Sequence, residues 1–210
     1  MAGPGRPRAF DIDEALDAAV EVFWRRGFAA ASLSELAAAM GINKPSVYGA
    51  FGDKARLFQA ALHRYVERNM GYVTDALEQP SARECARAFL VGNALAVTAP
   101  GRPAGCLSVQ AVATPDDSGE YAVLAENRAT VQRLFADRFR QAIADGDLPG
   151  SEDPDELATF LITLSSGFAI RAADGTPRES LVALAERAVT VFPVSVADSR
   201  SATSKENTHA

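Results

Sequence analysis

Residues 32–54, SLSELAAAMGINKPSVYGAFGDK, decide how this chain is read. Ser32 and Glu35 stand at capping-box spacing: the Ser hydroxyl takes the backbone donor of Glu35, and the Glu35 carboxylate reaches back to the cap. A helix therefore starts there and ends by Met40, with Gly41 able to take the left-handed conformation past its C-terminus. Asn43 caps a second helix, Lys44 to Phe51, a few residues later. Helix, tight turn, helix is the geometry that lets a second helix lie in a major groove.

The second helix carries side chains suited to that position. Lys44 offers a cation, Ser46 a small donor and acceptor, Pro45 and Val47 apolar surface for a thymine methyl, and Tyr48 a phenolic hydroxyl for a phosphate. Lys54 opens the following helix, where its charge and the helix N-terminus can address one phosphate together. Ser-x-x-Glu alone fits any helical hairpin with solvated charges. The two caps, the tight turn and this set of side chains in combination favour a nucleic-acid reader. Ahead of the first helix, Arg6 and Arg8 sit among Gly and Pro. Two readings of this arm stand: a basic strand that enters a narrow minor groove, or a solubilising terminus.

Outward from this stretch the apolar spacing is helical almost throughout. Ile12, Leu16, Ala19, Val20 and Phe23 mark one stripe, and Phe58, Ala61, Leu62, Tyr65, Tyr72, Val73 and Ala76 mark a longer one, so one helix is expected from Lys54 to about Leu77. Later stripes are Phe89, Leu90, Ala94 and Val97, then Val131, Leu134 and Phe135, then Leu157, Phe160, Leu161, Leu164 and Phe168, then Leu181, Leu184 and Ala188. Breaks are expected at Gly27, Gly41, Gly52, Pro80 and the stretches 100–103, 115–119, 146–154 and 174–177. The expectation is an all-α chain of about nine helices: a flexible basic arm at 1–9, a three-helix helix-turn-helix domain at 10–56, a regulatory and dimerising helical bundle at 57–193, and a disordered tail at 194–210.

The net charge of −6 hides an asymmetry. Residues 1–64 carry 8 Lys and Arg against 7 Asp and Glu, and the remaining 146 carry 13 against 20, a balance of +1 in front and −7 behind. The front can meet phosphates while the acidic body faces away. Apolar runs such as 89–99 and 160–170 are interrupted by Gly, Asn or Ser and fall short of the ~20 residues that span a bilayer. With no secretory h-region at the N-terminus, a cytoplasmic protein without membrane contact is expected. Two cysteines and two histidines imply no disulfide framework, no metal site and no cofactor.

Gly27-Phe28, the run from Ser32 to Ala38, the stretch from Gly41 to Lys54, and Leu57-Phe58 resemble the signature of the TetR/AcrR family of transcription regulators. The resemblance covers roughly residues 10 to 60. It implies phosphate contacts from Ser32, Lys44, Tyr48 and Lys54, and a homodimer whose two readers meet a palindromic double-stranded operator. It implies too that the last two long helices pair with their symmetry mates, which assigns the interface to Leu157, Phe160, Leu161, Leu164, Phe168, Leu181, Leu184 and Ala188. The chain departs from the family pattern at Ala31 and Ala50, where Thr and His are frequent, and Gly49 inside the reading helix costs ~1 kcal/mol relative to Ala.

The regulatory body is expected to hold an unknown small-molecule effector between apolar walls with a few polar groups. Asn93, Gln110 and Cys106 are the candidates. Cys106 follows a turn, so a helix N-terminus and Arg102 are expected to favour its thiolate, and Gly105-Cys106-Leu107 resembles a motif in one TetR branch, some of whose members sense electrophiles or oxidants. A buried inert thiol is the plainer alternative. The lysines are Lys44, Lys54 and Lys205, so no body Lys can cross-link to an oxidised Cys106, and sensing there would need alkylation, sulfenic acid or a disulfide. No His or carboxylate stands at a spacing that marks a base for Cys106, which argues against a thiol enzyme. Repressor and activator are not separated by sequence.

Overall fold

The structure is a computed structural model describing residues 10–110 and 120–193. Among the described residues it is all-α, with ten helices and no strand. They are α1 (Ile12–Ala30), α2 (Leu33–Ala39), α3 (Lys44–Phe51), α4 (Lys54–Asn69), α5 (Gly71–Leu77), α6 (Ala82–Val97), α7 (Leu107–Gln110), α8 (Glu120–Ala144), α9 (Pro154–Ala173) and α10 (Arg178–Thr190). Arg6 and Arg8, the break at 115–119 and the tail at 194–210 lie outside the described residues.

Local chemistry sets the helix ends. Asp11 accepts from the backbone N of Asp13 at 2.7 Å and of Glu14 at 3.2 Å to start α1, and Ser32, Asn43, Asp53, Ser81 and Asp153 cap α2, α3, α4, α6 and α9 in the same way. Gly27 interrupts α1 with φ of 72°, a left-handed conformation that a side chain would resist. That break turns Phe28 back onto Phe23 and Phe58, whose rings lie 5.0 to 6.2 Å apart. Wedged aromatic rings of this kind fix α1 against α4.

The expected long helix from Lys54 is two. Met70 leaves the helical conformation at φ −112°, ψ 19°, and Gly71 begins α5. The apolar stripe runs across the break because both pieces bury the same side, so spacing alone cannot reveal it.

Ion pairs hold α4 to α1. Arg64, with a side chain 13% exposed, donates to Asp17 at 2.8 Å and meets Asp13 at 3.2 Å, while Arg68 meets Asp17 at 2.8 Å. The Arg64 hydrogen bond, reinforced by the charges of Arg64 and Arg68, holds the Asp17 carboxyl below its ordinary range.

In the body α6 is central, packed by α5, α8, α9 and α10. Cys85, Ala86, Leu90 and Ala94 on α6 are fully buried. A ladder of rings from Tyr72 through Phe89, Phe135 and Phe139 to Phe192 crosses this core with centroids 4.4 to 6.3 Å apart.

Candidate functional site

α3 presents one face to solvent and one to the core. Lys44, Pro45, Tyr48 and Gly49 are exposed, Ser46 is half-buried and Val47 is fully buried. Pro45 sits in the first turn, where its missing N–H costs nothing. Asn43 accepts from the Ser46 backbone N at 2.9 Å, so the helix begins rigidly. Tyr48 is half exposed although its ring is apolar, as a side chain reserved for a partner would be. Val47 corrects the sequence reading: it anchors α3 in the core and has no surface for a thymine methyl. Val47 lies one position from both Ser46 and Tyr48, and only the packing of α3 decides which of the three turns inward.

Two phosphate candidates are differently engaged than expected. Ser32 accepts from the Glu35 backbone N at 3.1 Å, but the Glu35 carboxylate takes Arg26 Nε of α1 at 3.1 Å instead of returning to the cap. Ser32 itself is exposed. The Lys54 ammonium lies 4.4 Å over the Phe28 ring and donates to the Ala29 carbonyl at 3.5 Å, a cation–π contact that holds it toward the α1–α2 corner.

Behind the reader, a pocket partly open to solvent lies where α5, α6, α7, α8 and α9 meet, with about 410 Å³ of free space counting its open side. Met70, Phe89, Val109, Val131 and Ile162 supply apolar wall. Asn93 and Cys106, two of the three effector candidates, both line it. Gln110 is the last described residue of α7, and its side chain lies outside what is described.

Cys106 is 8% exposed, and its Sγ accepts from the Tyr65 hydroxyl at 3.3 Å. Arg102, expected to address the Cys106 thiol, donates instead to Asn69 Oδ1 on α4. Burial and the neighbouring Cys106 push the Tyr65 phenol well above its ordinary range, and burial raises that of Tyr72. Cys85, outside the cavity, is pushed up to about 12 by burial, against the nearby Arg138 charge, and is an inert core thiol.

Tyr65 and Tyr72 are the residues the sequence reading missed. Both sat in an apolar stripe and were assigned to packing, yet both direct hydroxyls at cavity residues. Tyr65 also stacks edge-on against Trp24 of α1 at 4.9 Å. One side chain of α4 thus touches both the cavity thiol and the helix that carries the reader.

The outer face of α9 and α10 is apolar in the single chain. Phe160, Ile170, Leu184 and Val191 are large apolar side chains left exposed, and Leu157, Leu164 and Ala188 are half-buried. Leu161, Phe168 and Leu181 are corrections: they are at most 5% exposed and belong to the core of one chain. α9 is also apolar enough over its 20 residues to cross a membrane by length and composition, with 28% of the window buried. The interruptions by Gly and Ser within 160–170 therefore do not by themselves keep α9 short of a bilayer span.

A capped helix-turn-helix set on a helical body with a cavity defines a DNA-binding transcription regulator of the two-domain type. Residues 15–61 match the family described as bacterial regulatory proteins, tetR family, and residues 85–188 match the Tetracyclin repressor-like C-terminal domain. The chain belongs to the TetR family. It is similar to the HTH-type transcriptional repressor ComR of Escherichia coli, 33% identical over 90% of this chain and 92% of ComR. The E. coli repressor BdcR is 31% identical over 88% of this chain and 90% of its own length. Among solved structures, a cysteine-substituted form of the TetR regulator CifR, complexed with 26-bp double-strand operator DNA, is 44% identical at a TM-score of 0.84, covering 90% of this chain and all of CifR.

Proposed function

We propose that this regulator is a homodimeric, non-enzymatic repressor that acts in the cytoplasm. It binds a palindromic operator through α3 and is released when a small molecule or a thiol modification in the cavity displaces α4. The observation that carries the release step is the Tyr65 hydroxyl on Cys106 Sγ at 3.3 Å, together with the Tyr65 ring on Trp24. A change at the cavity has a direct mechanical route to α1 and the reader, and the two readers must keep one helical turn of spacing to fit successive major grooves. Lys44 and Tyr48 would hold phosphates, with Ser46 and Pro45 against base edges and Arg6 and Arg8 in the minor groove. The proposed boundary at residues 56/57 falls inside α4, the element that serves both parts. The repressors ComR and BdcR and the operator-bound CifR support this reading by likeness.

The partner for the apolar face of α9 and α10 is a second copy of the chain. α9 opens with Pro154, Asp155 and Glu156, ends near Arg171, and packs against α6 and α8, which suits a helix half in a core and half in a subunit interface better than one in lipid.

The test is a mobility-shift assay at stated salt with DNA from upstream of the protein's own gene, comparing wild type, Tyr48→Ala, and protein alkylated at Cys106. A specific shift lost in Tyr48→Ala supports the reader. Release on alkylation supports the thiol route. Absence of binding both here and in a selection from random DNA would reject the function.

A further inference from the structure

Several polar groups around the cavity are satisfied from within the chain. Ser108 donates to Asn127 Oδ1 at 3.3 Å, Arg128 donates to the Ser108 carbonyl at 2.6 Å, and Ser165 donates to the Ile162 carbonyl at 2.9 Å. Asn93 differs. It is 4% exposed and lines the cavity; its Nδ2 donates to the Tyr72 hydroxyl at 3.0 Å, and its Oδ1 is buried without a hydrogen-bond partner. A buried carbonyl oxygen left unpaired costs ~1–3 kcal/mol, and the rarity of such groups in native proteins calls for an explanation at each one.

We infer that the cavity binds a small, neutral, largely apolar molecule carrying a hydroxyl, and that this hydroxyl donates to Asn93 Oδ1. The inference rests on the effector reading above and names the chemical class of that effector. The walls support it: Met70, Phe89, Val109, Val131 and Ile162 offer apolar contact to the carbon skeleton. Charge supports it as well. Among the described residues no Asp or Glu lines the cavity to offer a cation a counterion. Arg128, the one charged lining residue among those described, is tied to the Ser108 carbonyl, and the burial that raises Tyr65 and Tyr72 disfavours a new anion beside them. Bound next to Cys106 and Met70, such a molecule sits against the end of α4.

The experiment titrates the full-length dimer by calorimetry with three probes of one shape: 1-phenylethanol, which donates; acetophenone, which only accepts; and benzoate, which is charged. The expected result is 1-phenylethanol tighter than acetophenone by about tenfold, the scale of one hydrogen bond to a group otherwise left unpaired, with benzoate weakest. Asn93→Leu is expected to bring the first two within about twofold. The wild-type ranking decides the matter even where that variant does not fold. Acetophenone equal or tighter, or benzoate tightest, overturns the donor assignment and leaves a binding cavity in place. Failure of all three to bind overturns the inference and removes support for a small-molecule effector here. If 1-phenylethanol binds as expected but operator affinity does not change, the ligand class stands and the release mechanism falls.

Discussion

A methyl group added at Gly92 tests how tightly α5 lies on α6. A Cβ built there comes 2.7 Å from Tyr72 Cβ, 3.2 Å from its Cγ and 3.3 Å from its Cδ2. Carbon atoms prefer about 3.5–4.0 Å, and the nearest obstacle is attached to the α5 backbone, so rotating the ring gives no relief. The helix must retreat by about 1 Å. Overpacking of this sort costs ~1–3 kcal/mol, against a helix-propensity gain of ~1 kcal/mol for Gly→Ala, which leaves Gly92→Ala less stable by about 1 kcal/mol and at most about 2. At roughly 2–4 °C per kcal/mol for a chain of this size, Tm falls by about 2–8 °C at fixed protomer concentration, measured by calorimetry or circular dichroism. Gly49→Ala is the matched control. Its Cβ meets nothing within 4 Å, so the propensity term acts alone and Tm rises by about 2–4 °C. A Gly92→Ala protein that gains stability as the control does would refute the close approach of α5 to α6.

Further outcomes follow from the same geometry. Lys44→Ala is expected to lower the slope of log affinity against log salt by about 1 per protomer, whereas Tyr48→Ala weakens operator binding with the slope unchanged, because a phenol releases no counterion; equal slopes in both would remove Lys44 from the phosphates. Leu184→Glu should yield a folded monomer in sedimentation, since that side chain is 49% exposed, while Leu181→Glu, fully buried, should fail to fold; a dimeric Leu184→Glu would locate the interface elsewhere. Tyr65→Phe keeps the stacking on Trp24 and loses only the hydroxyl on Cys106, costing about 1 kcal/mol of stability or less. Alkylation of its Cys106 is expected to leave both operator affinity and the emission of Trp24, the single tryptophan, unchanged; a full response would rule out the relay through Tyr65. Asp17 has its pKa lowered by Arg64, so the native state binds fewer protons than the unfolded chain in the window below the ordinary carboxylate value. That stabilisation is present above about pH 4 and is lost as pH falls through the depressed value, so acid unfolding should be steeper for wild type than for Asp17→Asn.

The sequence by itself determined the helices, most of their ends and the family. Caps and turn glycines act within a few residues, and a 3.6-residue apolar period reports a helix whatever it packs against. Ser32, Asn43 and Gly41 therefore stood in the sequence as they stand in the structure. What the sequence left open was which side of a stripe meets which neighbour. Val47 against Tyr48, and Leu181 against Leu184, are close in sequence and alike in apolar character, and only the arrangement of surrounding helices sends one inward and the other out. The break at Met70 was hidden for the same reason, since both pieces of the stripe remain buried. The cavity was the least legible part. Asn93, Cys106, Tyr65 and Tyr72 come from α6, the start of α7, α4 and α5, and a hydrogen bond such as that from Tyr65 to Cys106, 41 residues apart, exists only once long-range packing has placed both groups. Local preferences fix what each segment becomes, and tertiary packing decides which polar atoms are left facing one another and which, such as Asn93 Oδ1, are left facing none.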